Sequence, residues 1–441
     1  MSVLFIANRG EIAARIQRTA RSLGWKCAVA RPEVDAGLPY VREADISVPL
    51  DSPRAFGDVE TMVAAAVAAG AQLVHPGYGF LSENPDFARA VTQAGMTFVG
   101  PSAEVIESMG DKANARRIAQ ESGVPVTTGS SGPVETLEEA GEIAEVIGFP
   151  LMVKAVAGGG GIAMAVVTEA AGLAAAVEQV SGRGVSVFGD GRMIVERYVQ
   201  RSRHIEAQIM GLPDGRVIAV GERDCSVQRR HQKVVEESPS PALTLEVREQ
   251  IARRAVALGE AVGYRNAGTV EFIYDLDRQE FYFLEMNTRL QVEHPVTEAV
   301  HGVDLVAWQL AVARGDSEIP EGFSAAPSGH AIELRIYAED PERFLPRPGA
   351  ITRWQMPDGD GIRVDAGYRE GTTVTPFFDP LMAKVIGWGS TREEALERTR
   401  TALARTAVEG PGVNLPYLAR VLDSEAFATG SYATGLVVDE S

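Results

Sequence analysis

Cysteine is nearly absent: Cys27 and Cys225 are the only two in 441 residues, and they stand in no CxxC or zinc-ligand spacing. Neither a disulfide framework nor a structural zinc site is therefore expected. Lysine is almost as scarce, with Lys26, Lys112, Lys154, Lys233 and Lys384 the only five among 42 basic residues, the other 37 being arginines. Where arginine is so favoured, a retained lysine marks a place that uses a compact ammonium on a flexible stem. Lys26 and Lys384, on apparent strands, read as chance survivals. Excess positive charge is lacking too: the formal charge is -18 and the pI is near 4.9. Nucleic acid held by general electrostatics is not an expected partner. No apolar run is long enough to span a bilayer, and Met-Ser-Val-Leu-Phe-Ile-Ala at the start has no basic n-region. Neither membrane insertion nor a signal peptide is expected, which suggests a cytoplasmic protein.

What is present is a globular composition, 45% hydrophobic and 23% charged, in a chain long enough for two to four domains. Val3 to Ala7, the turn Asn8-Arg9-Gly10-Glu11, then Ile12, Ile16, Ala20 and Leu23 at helical spacing and Lys26 to Ala30 form a βαβ pattern. A helix over Asp58 to Ala69 and a buried strand over Ala71 to Val74 follow, then the loop His75-Pro-Gly-Tyr-Gly-Phe80. The first 110 or so residues thus read as an open α/β domain, whose ligands sit at the carboxyl ends of its strands. Thr136 and Glu139 make a capping box for a helix with Ala140, Ile143, Ala144 and Ile147 inward, ending at Gly148. Strands at Pro150 to Val156 and Ala163 to Val167 flank Ala157-Gly-Gly-Gly-Gly161. Gly315 to Gly329 is the best linker candidate. Beyond it, strands at Ala331 to Tyr337, Val364 to Tyr368 and Leu381 to Trp388, and a helix capped by Ser390 and Glu393, indicate an α+β domain.

The chemistry concentrates in Glu285-Met-Asn-Thr-Arg-Leu-Gln-Val-Glu293. If this run is extended, Glu285, Asn287, Arg289, Gln291 and Glu293 share one face while Met286, Leu290 and Val292 point into a core. Upstream, Val270 to Tyr274 and Glu280 to Leu284 read as a hairpin whose turn near Arg278 places Glu271 opposite Glu285, about 5 Å apart at Cβ. Facing like charges ask for a cation, and two carboxylates with the amide oxygen of Asn287 suit Mg²⁺; a slipped register would instead send one glutamate to water. Arg289 with Glu293 fits a general base beside a guanidinium that holds the anion formed, or equally a structural ion pair. Arg229, Arg230, His231 and Lys233 form a cationic cluster suited to a small anion such as phosphate or bicarbonate. The glycine run beside Lys154 is either a flexible connector or a mobile lid over a nucleotide. Ile194 to Val199, read alone, is an ordinary edge strand with Glu196 facing solvent, although a carboxylate and carbonyl there could pair with an adenine amino group.

Taken in order, Asn8-Arg-Gly-Glu-Ile-Ala13, His75 through Asn84, Met109-Gly-Asp-Lys112, Arg223-Asp-Cys-Ser with Gln232 through Glu237, and Glu285 through Glu298 resemble the biotin carboxylase component of biotin-dependent carboxylases, an ATP-grasp family. The resemblance covers nearly the whole chain. It implies an ATP-grasp fold of mixed α/β and α+β domains: a Rossmann-like domain at 1-111, an ATP-grasp domain at 112-325 with a mobile lid at about 126-198, and a C-terminal α+β domain at 326-441. It implies ATP-dependent carboxylation of biotin on a separate carrier protein, with bicarbonate as the carbon source, by way of carboxyphosphate. By the same resemblance Lys112, Lys154, Gly159, Gly160, Gly161, Glu196, His204, Gln228 and His231 contact ATP, and the backbone around Arg197 and Val199 meets the adenine. Glu271 and Glu285 hold Mg²⁺ or Mn²⁺ with Asn287 close by. Lys233, Arg289, Gln291 and Val292 hold bicarbonate, Glu293 deprotonates it, Arg289 and Arg335 stabilise the biotin enolate and phosphate, and Tyr78 and Phe80 lie near the biotin ring.

One departure from the family pattern stands out. Ile162-Ala163-Met164 follows the glycines where relatives commonly carry Arg-Gly-Met, which removes a positive charge and places a Cβ where positive φ is called for. Weaker ATP binding or slower closure is expected, with activity retained. No Met-Lys-Met hairpin is present, so the carrier and the carboxyltransferase are expected elsewhere, and the family implies a homodimer. Two rivals remain: an ATP-grasp ligase that passes activated bicarbonate or a carboxylate to an amine, and a non-catalytic nucleotide-binding subunit.

Overall fold

The computed structural model describes residues 2-157, 163-229 and 232-436. The amino-terminal part is a parallel sheet in the order Ile46–Leu50, Lys26–Pro32, Val3–Ile6, Leu73–His75, Thr97–Phe98. Its central strand is buried from Leu4 to Ile6, as a strand covered on both faces is expected to be. Helix Gly10–Ser22 follows it and turns Ile12, Ile16 and Ala20 into the core. Leu23, grouped with them in the sequence pattern, lies just past the helix end and is 47% exposed.

A second sheet of eight antiparallel strands runs Glu280–Asn287, Asn266–Asp275, Ser202–Gly211, Val217–Arg229, Gln232–Ser238, His330–Tyr337, Leu381–Gly389, Ile362–Ala366. The three long C-terminal strands therefore join the central sheet, His330–Tyr337 pairing directly with Gln232–Ser238, while Gly349–Ala350 with Thr373–Val374 and Arg353–Gln355 with Ala407–Glu409 form two small sheets apart. The irregular stretch from 314 to 329 carries the chain over to that pairing. The helix beyond, Arg392–Ala404, is capped one residue later than expected, by Thr391 accepting from the Glu394 amide.

The three-stranded sheet Met164–Val167, Leu151–Ala155, Met193–Arg197 packs against helices Leu137–Ile147 and Leu173–Phe188 around a core of its own. Thr136 and Glu139 form the expected capping box, and Gly148 ends the helix at φ +74. Among the described residues no helix is long and apolar enough to cross a membrane.

Candidate functional site

The two larger sheets and the small one face a common cavity of about 700 Å³. Its geometry starts in the hairpin. Asp275 to Phe272 pair in simple succession with Glu280 to Phe283, and a bulge at Leu284 then advances the register by one, so that Glu285 stands opposite Glu271. Without that extra residue Leu284 would face Glu271. A turn near Arg278 thus leads to the expected pairing only because the bulge re-aims Glu285.

The two carboxylates have unlike surroundings. Glu271 accepts from His204 Nε2 at 2.7 Å, Lys233 Nζ at 2.9 Å, Asn287 Nδ2 at 3.0 Å and Gln291 Nε2 at 3.3 Å. Burial alone would raise its pKa, but Lys233 and His204 hold it well below the usual carboxylate range. Glu285 is pushed upward by burial and by the charges of Glu271 and Glu83, with Lys112 and His204 opposing. Two hard oxygen donors in register, one of them poorly neutralised, fit Mg²⁺. Asn287 turns its amide nitrogen to Glu271, and its oxygen accepts from Arg289 at 3.1 Å.

On the side of the small sheet, Lys154 pairs with Glu196, which also accepts from Thr127 Oγ1 at 2.5 Å and Arg116 at 3.3 Å. Glu196 is buried, 6% exposed, and the solvent-facing edge strand is overturned. Loop residues 127 to 130 cover that edge, with Gly129 bridged to Glu196. Burial would raise Glu196, yet Lys154 and its other donors bring it below its ordinary value. Lys112 opens helix Lys112–Glu121, and burial lowers its pKa against the pull of Glu285. His204 lies between Glu271 and the Gln228 amide, 2.9 Å from Nδ1. Arg197 turns away to Asp275 at 3.2 Å and lies over the Tyr282 ring, and neither it nor Val199 lines the cavity. Gly159, Gly160, Gly161, Arg230 and His231 lie outside the described residues.

Beneath the hairpin, the expected continuous extended run does not form. The strand ends at Asn287, and Glu293 stands just before helix His294–His301 without a side-chain capping bond, while Pro295 suits that helix's first turn. Leu290 enters the core as expected, whereas Val292 is half-buried and lines the cavity. Glu293 is wholly buried behind the lining. It receives Lys233 Nζ at 2.7 Å and Arg335 at 3.0 Å, and the Cys225 thiol points to it at 3.7 Å. Burial opposes its ionisation, but Lys233, Arg335 and Arg223 outweigh burial and hold its pKa well below the ordinary value. Arg289 is not its partner: Glu83 fixes that guanidinium at 2.8 Å, with Gln291 Oε1 at 3.0 Å. Lys233 bridges Glu206, Glu271 and Glu293. Arg229 departs from the expected anion cluster, being buried on Glu339 and over the Tyr337 and Phe344 rings.

Tyr78 and Phe80 form the wall from the parallel sheet. Asn8 Nδ2 donates to the Pro76 and Tyr78 carbonyls, both at 2.7 Å, which shapes that loop; at Gly77, φ +63, a Cβ would meet Asn8 at 2.8 Å. Phe80 stacks on Phe56 at 5.0 Å and meets Phe378 edge-on. Sequence reasoning missed Glu11, Glu83, Glu206 and Lys384 as neighbours of this site. Glu11 and Glu83 lay inside motifs already singled out, and the scarcity of lysine marked Lys384.

Comparison with known proteins follows the same lines. Residues 1-106 match the model described as "Biotin carboxylase, N-terminal domain", 111-319 "Carbamoyl-phosphate synthase L chain, ATP binding domain", and 333-439 "Biotin carboxylase C-terminal domain". A biotin carboxylase of Halalkalibacterium halodurans is 47% identical over 440 residues, 99% of this chain and 97% of that protein. The structure of a biotin carboxylase–beta-gamma-ATP complex from Campylobacter jejuni superposes with a TM-score of 0.95 at 39% identity, over 98% of this chain and 97% of that one. The biotin carboxylase domain dimer of Hydrogenobacter thermophilus 2-oxoglutarate carboxylase, solved with MgADP, ADP and bicarbonate, gives 0.94 at 40%, over 98% and 96%. With agreement at both ends and along the whole length, the chain belongs to the biotin carboxylase family.

Proposed function

We propose that this chain carboxylates biotin on a carrier protein, consuming ATP and bicarbonate. The observation that carries this reading is the convergence in one cavity of two lysines, a facing carboxylate pair and the set Lys233, Arg289 and Arg335 over a buried Glu293. Lys112 and Lys154 meet the phosphates, Glu196 and its strand meet the adenine, and His204 with Gln228 completes the nucleotide contacts. Arg197 and Val199 contribute through backbone only, and Gly159, Gly160, Gly161 and His231, outside the described residues, are further ATP contacts in this reading. Glu271 and Glu285 would hold Mg²⁺, or Mn²⁺, with Asn287 close by and bonded to Glu271; such an ion would supply charge neutralisation at the phosphates.

Bicarbonate is held by Lys233, Arg289, Gln291 and Val292. Glu293 is ionised at neutral pH, so it can accept a proton, but with two cations on it it is a weak base. An incoming anion shares those cations, which moves the carboxylate toward the working range. Glu293 takes the bicarbonate proton, the freed oxygen attacks the γ-phosphorus, and the bond to ADP breaks. Carboxyphosphate splits to CO₂ and phosphate, and phosphate takes the biotin N1′ proton. Arg289 and Arg335 hold the enolate beside Tyr78 and Phe80 until N1′ attacks CO₂. A closed lid keeps water from the labile intermediate.

The partners are a biotin carrier protein or domain and a carboxyltransferase, the active form is a homodimer, and the compartment is the cytoplasm. The working division is 1-111, 112-325 and 326-441. Bicarbonate-dependent ADP release, measured with and without free biotin, tests the reading: biotin accelerates it. Release that responds to an amine and ignores biotin refutes it, as does a binder that turns nothing over. Glu293→Gln lowers kcat by roughly 10²–10⁴-fold in a protein that still folds; near-normal turnover removes Glu293 from the base role.

A further inference from the structure

Lys384, set aside on sequence grounds, is fully buried. It sits on the strand Leu381–Gly389, opposite Arg335 on one side and Asp365 on the other. Its ammonium donates to the Val292 carbonyl at 2.6 Å and lies 3.4 Å from Glu11 Oε2. Glu11, on the first turn of helix Gly10–Ser22, is itself buried, and its other oxygen accepts from the Tyr78 hydroxyl. Burial pushes the Glu11 carboxyl up to about 7 while Lys384 pulls it down. The C-terminal backbone closes over the same helix start: a Cβ at Gly367 would come within 2.4 Å of the Glu11 nitrogen.

These contacts join three parts of the chain. Tyr78 comes from the parallel sheet, Val292 from the turn after the hairpin, and Lys384 from the C-terminal strands. A desolvated ammonium that released its carbonyl would keep only the longer contact to Glu11, so the Val292 peptide is held in place by it. A compact ammonium on a straight stem fits between a carbonyl and a carboxylate where a planar guanidinium fork would not, which accounts for lysine in a chain that otherwise uses arginine.

We propose that Lys384 and Glu11 are positioning residues that join the anion-holding turn at Val292 to the acceptor-side Tyr78, so that the two halves of the site are set together. The proposal rests on bicarbonate binding at that turn and biotin at Tyr78. ADP release without biotin separates the two ideas, because Tyr78 then has no acceptor to touch and can reach bicarbonate only through Glu11 and Lys384. Tyr78→Phe and Lys384→Met each raise the KM for bicarbonate about five-fold and leave the KM for ATP unchanged, and the double variant is no worse than Lys384→Met alone. A Tyr78→Phe enzyme with the parent KM for bicarbonate overturns the proposal, as do effects that multiply. A parent enzyme without bicarbonate-dependent ADP release refutes the functional reading instead. Should Lys384→Met fail to fold, Tyr78→Phe and Glu11→Gln decide by the same KM comparison, since Tyr78 is only half-buried on the cavity wall.

Discussion

Ala163 adopts φ +58 and is 5% exposed, holding its alanine in a conformation that glycine reaches without penalty. The misfit costs about 1 kcal/mol. Ala163→Gly is therefore expected to raise the melting temperature and strengthen ATP binding, checked by thermal denaturation and nucleotide titration; no change in either shows that the segment tolerates alanine. That a glycine belonged here followed from the family resemblance. The surroundings of Glu293 were not legible in the sequence. Sequence spacing offered Arg289 as its partner, while folding placed Lys233 and Arg335 on it, from residues 60 and 42 positions away.

At the scale of elements, strand alternation separates two acidic neighbours, Glu236 and Glu237. Glu236 faces Arg335 under the cavity, and Glu237 faces His330, Arg392 and Tyr432 on the other side. Burial would raise Glu237, but His330 and Arg392 bring it down from 4.5 to about 2. A depressed carboxylate stabilises the fold fully above its unfolded value of 4.5, and that stability is lost as pH falls through about 2. The contribution is about 3 kcal/mol. Glu237→Gln is accordingly less stable than the parent at neutral pH, and denaturant titrations across that acid window show the gap closing; a gap independent of pH contradicts the assignment. The hairpin was readable because both strands and their turn are adjacent in sequence. Its bulge was not, since nothing in Phe283-Leu-Glu285 announces an extra residue.

For the whole molecule, the small three-stranded sheet has a core distinct from those of the two larger sheets, yet it supplies Lys154 and Glu196 to the cavity. A unit with few buried contacts opens at lower free energy than the sheet it covers. Amides of Leu151–Ala155 and Met193–Arg197 are expected to exchange faster than those of Asn266–Asp275, and MgATP to slow them; exchange unaffected by nucleotide excludes closure of this unit over the cavity. By itself the sequence determined the residue types, the parallel start, the hairpin, the capping box and the family, because each rests on neighbours in the chain or on motifs in fixed order. Only the tertiary structure decided which charges meet: Glu83 with Arg289, Lys384 with Val292 and Glu11, and the C-terminal strands with the central sheet. The reason is physical, since a buried charge takes whatever partner packing brings within reach, and that choice is made across distances along the chain on which no local pattern bears.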